Sequence, residues 1–144
     1  MDARLQKYAD RLANEWKTHG KIILSVDFDA TISPYHTIEN QEDIARAQSL
    51  IKECQLVGCF TMIHTNCDEN RYQGILTHCS KIGINVDSIN KTPIDLPYGK
   101  EGSKPYYNHS LDDRSALPAS LDILEHAMYM MMAYKSSLRT GFDV

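Results

Sequence analysis

Leu5, Tyr8, Leu12 and Trp16 recur at spacings of three and four, with charge on the opposite face, and predict a helix over 4–18 that Gly20 stops. The following KIILSVDFD loses that period. Ile22, Ile23, Leu24 and Val26 form a nearly continuous apolar run, as in a strand covered on both faces. A loop over 30–40, stiffened by Pro34, leads to a second helical pattern over 41–56. Ile44, Ala47, Leu50 and Ile51 point inward there, and Asn40 with Asp43 resembles a capping box. VGCFTMI at 57–63 reads as a second strand, 68–82 as a helix with Tyr72, Ile75, Leu76 and Cys79 in phase, and INVDSI at 84–89 as a short strand. The Pro- and Gly-rich stretch 91–103 is a surface connection. KPYYNHSL, 104–111, is polar for a central strand, and its assignment rests on context. A last helix spans 117–137, with Pro118 in its first turn and Leu121, Leu124, Met128, Met131 and Met132 as core packing.

Helices that alternate with apolar strands predict an α/β fold: a three-layer, Rossmann-like arrangement with a mostly parallel central sheet. Residues 1–144 suit a single domain. Sheets of this kind place ligands at the C-terminal ends of their strands. The polar residues at those ends are Asp27 and Asp29 after the first strand, Thr65 and Asn66 after the second, and Asp112 and Asp113 after the last.

Composition narrows the function classes. A formal net charge of −4 argues against long nucleic acid and anionic membrane as partners, but leaves room for a small anionic substrate. No stretch is apolar for long enough to span a bilayer, and MDARLQKYADRLANEW lacks the apolar core of a secretory signal, so the expected location is cytoplasmic. Cys54, Cys59, Cys67 and Cys79 form no close CxxC pair and read as free thiols in a reducing compartment.

Three acidic groups converging at one sheet edge would repel one another, and a hard divalent cation resolves that conflict. Magnesium takes a few oxygen ligands and keeps waters for a phosphate. Asp27 can then attack phosphorus as a nucleophile, while Asp29, two residues on, protonates the leaving oxygen and later activates water. Thr65, Asn66 and Lys104 would hold phosphoryl oxygens.

With these residues the chain resembles the haloacid dehalogenase-like hydrolase superfamily, which consists mostly of magnesium-dependent phosphatases. The resemblance covers about residues 21–117. Its four motifs stand in order as ILSVDFDAT, FTMIHT, the lysine of GSKPYY and the acidic pair of HSLDD. It implies Asp27 as nucleophile and metal ligand, Asp29 as acid/base and as a ligand through its backbone carbonyl, and Asp112 and Asp113 as metal ligands in either order. Lys104 is favoured over Lys100 as the motif lysine for its closeness to the last strand. The chain departs from many relatives at Ala30, where glycine is common, and at Asn66, where small relatives often carry an arginine nearby; Arg71 is the candidate to replace it. The eleven residues of 30–40, and the 38 between Thr65 and Lys104, are too few for a cap domain. The implied protein is a capless, magnesium-dependent phosphomonoester hydrolase acting on a small or exposed phosphorylated substrate, with Tyr35 and His36 near the pocket. A partner subunit could close the site. The alternative is a catalytically weak metal- or phosphate-binding regulatory domain of the same fold.

Several of these side chains have a plainer use. A salt bridge from Arg114 to one of the aspartates is expected ahead of substrate contact, and His64 and His109 are expected to be packed or hydrogen-bonded.

Overall fold

A computed structural model describes residues 1–33, 41–94 and 105–140. Its elements follow the predicted order: α1 (Ala3–His19), β1 (Ile22–Asp27), α2 (Gln41–Val57), β2 (Cys59–His64), a 3-10 turn (Glu69–Arg71) leading into α3 (Tyr72–Lys81), β3 (Ser88–Ile89), β4 (His109–Leu111) and α4 (Leu117–Thr140). The strands form one all-parallel sheet in the order β3-β2-β1-β4, flanked by helices in a Rossmann-like three-layer fold.

Local chemistry sets the helix ends. The Asp2 carboxylate accepts the Arg4 N–H at 2.8 Å and caps α1. Gly20 ends it in the left-handed region at φ 74°, donating its N–H to Trp16 O at 2.7 Å. The chain then passes Gly58, whose φ of 108° and close approach to the Gly20 carbonyl admit no side chain; a Cβ there would lie 2.7 Å from that oxygen.

The apolar run of β1 is buried on both faces, as its pattern predicts. Ile22, Leu24 and Val26 join Ile63, Leu111 and residues of α1, α2 and α4 in the main core. On the opposite face Ile23 and Met62 are also buried. One helix face differs from the prediction. Tyr8 is 49% exposed, and α1 buries Ala9, Leu12, Ala13 and Trp16 instead. The small side chains of Ala9 and Ala13 let α1 lie close against α4. Leu76 and Met132 likewise face outward, at 38% and 46% exposure.

β3 and β4 are shorter than predicted because side chains take over their ladder bonds. Asp87 donates its N–H to Thr61 O at 2.9 Å and accepts the Thr61 N–H on Oδ2 at 2.7 Å. Asn108 does the same to Ile23, at 2.8 Å and 2.7 Å. No helix among the described residues is long and apolar enough to cross a membrane.

Register brings the strand ends level. Asp27 pairs with His64, so Thr65 follows beside it. Leu111 pairs with Val26, so Asp112 continues alongside Asp27.

Candidate active site

The polar strand ends line one cleft of about 360 Å³. Asp27, Asp29 and Ala30 come from the end of β1, Thr65, Asn66, Cys67 and Arg71 from the end of β2 and the 3-10 turn, and Asp112, Asp113 and Arg114 from the end of β4. All the predicted site residues that fall within the described segments are therefore brought together. Lys104, Lys100, Tyr35, His36 and the proposed Asn40 cap lie outside the described residues.

The turn after β1 explains how two carboxylates reach the cleft from a buried strand. Phe28 and Ile32 are buried at 5% and 0% exposure and anchor the turn in the core. Ile32 and Ser33 both donate N–H bonds to Phe28 O at 3.2 Å, and Ala30 donates to Ser33 O at 2.8 Å. The tight loop puts Ala30 at φ 64°, a left-handed backbone that favours glycine. Among the described residues the other non-glycine positions with positive φ are Asn90 and Ala116. Asn90 directly follows β3, at the C-terminal end of that strand, and Ala116 directly precedes α4. Strained backbone of this kind gathers at functional edges.

Asp27, Asp112 and Asp113 each offer a carboxylate oxygen, and these atoms lie within 4.8 Å of one another. The crowding shows in Asp27. Burial, then the Asp113 contact and the charges of Asp112 and Asp113, push its pKa up to about 7, with Thr31 pulling the other way. Thr31, the last residue of the DxDxT pattern, is fully buried and ties the first motif to the last. Its hydroxyl accepts the Asp113 N–H at 3.0 Å and stands 3.4 Å from both Asp27 Oδ2 and Asp113 Oδ1. Its single proton can serve only one of those carboxylates at a time.

Asp29 stands apart from this trio. Its Oδ2 is 3.7 Å from Arg71 Nη1, so Arg71 does reach the cleft rather than only solvent. Arg114 differs from expectation. Asp112 accepts the Arg114 backbone N–H at 2.9 Å, and among the described residues the guanidinium makes no ion pair. The short turn after β4 brings the backbone, not the side chain, to Asp112. His109 donates from Nε2 to Ser120 O at 2.9 Å and burial lowers its pKa, the behaviour of a packed neutral imidazole. Cys67 lines the cleft half-buried, while Cys54, Cys59 and Cys79 are buried free thiols.

Thr65 is held by a residue that the sequence reading missed. Asn90 Oδ1 accepts the Thr65 N–H and Asn90 Nδ2 donates to the Thr65 carbonyl, both at 2.8 Å. The Thr65 hydroxyl itself accepts the Cys67 N–H at 3.2 Å.

The donor set fits a hard divalent cation: three carboxylates, all oxygen, crowded enough that Asp27 resists ionising without a counter-charge. Compared with family models, curated proteins and solved structures, the chain matches none of them. The chemistry of the site therefore has to be argued from its residues.

Proposed function

We propose that the protein is a magnesium-dependent phosphomonoester hydrolase that works through an aspartyl-phosphate on Asp27, a capless member of the haloacid dehalogenase-like hydrolases. The observation that carries this reading is the meeting of Asp27, Asp112 and Asp113 within 4.8 Å, in one cleft with Asp29 and Thr65. A simple cation site would need the trio alone; the additional acid two residues past Asp27 supplies what hydrolysis requires.

Asp27, Asp112 and Asp113 would hold the Mg2+. Bound there, the ion supplies charge compensation for the carboxylates and the phosphoryl oxygens. Ionised Asp27 attacks phosphorus, forming a carboxylate–phosphorus bond as the bond to the leaving oxygen breaks. Asp29 gives that oxygen its proton, then takes one from the water that attacks the acyl phosphate, releasing inorganic phosphate and restoring Asp27. Thr65 and Asn66 hold phosphoryl oxygens during both steps, with Lys104 as the expected cationic partner. A substrate that is small, or large with an exposed phosphate, suits a site with no cap domain. The net charge of −4 disfavours long nucleic acid.

One observation favours the second reading, a binding domain with weak turnover. Arg71 lies 3.7 Å from Asp29, an ion pair that gives this carboxylate a structural use apart from proton transfer. Hydrolysis of an aryl phosphate separates the two. The enzyme releases phosphate with Mg2+ and not with chelator, and Asp27→Asn abolishes release. A wild-type protein that binds Mg2+ and inorganic phosphate without turnover supports the binding domain.

A further inference from the structure

We infer that Asn90 is the positioning residue that sets Thr65 against the phosphoryl group. This assignment rests on the hydrolase reading above and adds a residue that none of the four motifs contains.

β3 ends at Ile89, and its edge of the sheet could not otherwise pair the residues of β2 that run on toward the cleft. At Asn90 the chain turns away with φ 57°. Its backbone N–H still reaches Ile63 O at 2.8 Å, the last rung of the ladder. Beyond that rung the side chain substitutes for backbone. Oδ1 accepts from Thr65 N and Nδ2 donates to Thr65 O, bonds that two further residues of a parallel strand would otherwise supply. The second proton of Nδ2 goes to Tyr72 Oη at 3.1 Å, which fixes the amide plane from the side of α3.

The residue type follows from this geometry. The Thr65 N–H can only donate and its carbonyl can only accept, so the opposing head needs one acceptor and one donor. An aspartate offers acceptors only. A glutamine adds a methylene and loses the fit. Asparagine also tolerates the left-handed backbone that the turn demands. Asp87 and Asn108 use a related device, but on residues Thr61 and Ile23 inside the sheet. Asn90 alone of the three grips a cleft residue, and its side chain bonds both the N–H and the carbonyl of that residue. Without it Thr65 would be an unpaired strand end, and a phosphoryl contact displaced by about an ångström loses much of its effect on rate.

The test uses Asn90→Gly, which keeps the left-handed turn and removes the clamp, and Tyr72→Phe, which folds with the ring intact and removes only the outer acceptor. Backbone amide exchange by NMR and aryl phosphate turnover with Mg2+ are measured on each. In Asn90→Gly the Thr65 amide exchanges about ten-fold faster while amides of β1 keep their protection. Its kcat falls about ten-fold or more, and Tyr72→Phe shows a smaller change in the same direction. In a Thr65→Ala background, Asn90→Gly costs less than about two-fold in kcat, because the group it positions is already gone. Unchanged Thr65 exchange in Asn90→Gly overturns the clamp. An equal loss of kcat with and without the Thr65 hydroxyl shows a merely structural role and overturns the positioning. A wild-type protein with no turnover defeats the hydrolase reading instead, and the exchange data then still decide whether Asn90 holds Thr65.

Discussion

Replacing Asp27 with asparagine should make the metal-free protein more stable, and only at neutral and alkaline pH. The folded Asp27 has its pKa raised from 3.8 to about 7 by burial and by two neighbouring carboxylates. Between those values the folded protein keeps a proton that the unfolded chain has lost. Stability contributed by this group therefore falls as pH rises from about 4 to about 7, and the full penalty applies above that. A shift of this size corresponds to about 4 kcal/mol if fully shielded. Asp27 is only half-buried, so about 2 kcal/mol survives solvent screening. For a chain of this length that is a rise in Tm of about 6 °C for Asp27→Asn over wild type at pH 8 in chelator. Near pH 4 the protonated aspartate and the amide are alike, and the two proteins should melt together. Saturating Mg2+ reverses the order. At a hundred times its Kd it adds about 2.7 kcal/mol to the wild type and little to the variant, which lacks a ligand. Thermal melts of both proteins at pH 4 and pH 8, with Mg2+ and with chelator, test this directly. A variant that is less stable than wild type at pH 8 in chelator, or a difference that does not change with pH, refutes the account of a strained carboxylate cluster.

Two further outcomes concern single contacts. Thr31→Val keeps the shape but leaves the Asp113 N–H without its acceptor; it should cost about 1–3 kcal/mol in denaturant unfolding and weaken Mg2+ binding by titration calorimetry. Gly58→Ala should cost more than about 2 kcal/mol, since φ 108° and a backbone oxygen 2.7 Å from the new Cβ both oppose it, whereas Gly20→Ala meets open space and should cost only about 1 kcal/mol; equal losses in urea melts would contradict the close approach.

Much of this molecule was legible before its structure. Alternating helical and apolar-strand patterns led to a parallel sheet, and the rule that ligands sit at strand ends pointed to Asp27, Asp29, Thr65, Asn66, Asp112 and Asp113, which do line one cleft. What stayed hidden shares a physical cause. Thr31 and Asp113 are 82 residues apart in sequence, and no periodicity connects a buried hydroxyl to a distant N–H. Asp87, Asn90 and Asn108 replace backbone rungs with side chains, so β3 and β4 are short where hydrophobic pattern and context suggested longer strands. An asparagine just past a short apolar stretch reads as a turn, which it is; its second task, holding Thr65, leaves no mark on composition. The inward face of α1 departs from its pattern at Tyr8, where the ring stays exposed and Ala9 and Ala13 are buried instead. The Arg71–Asp29 contact depends on a 3-10 turn that shortens the predicted helix at its start.

The central claim is a covalent one, and trapping tests it most directly. Protein turning over an aryl phosphate with Mg2+ is quenched in acid, digested and mapped by mass spectrometry. The account predicts a phosphoryl group on the peptide that carries Asp27, absent with chelator and absent in Asp27→Asn. Phosphate release with the adduct on another residue, or an Asp27→Asn variant that turns over as fast as wild type, would contradict it.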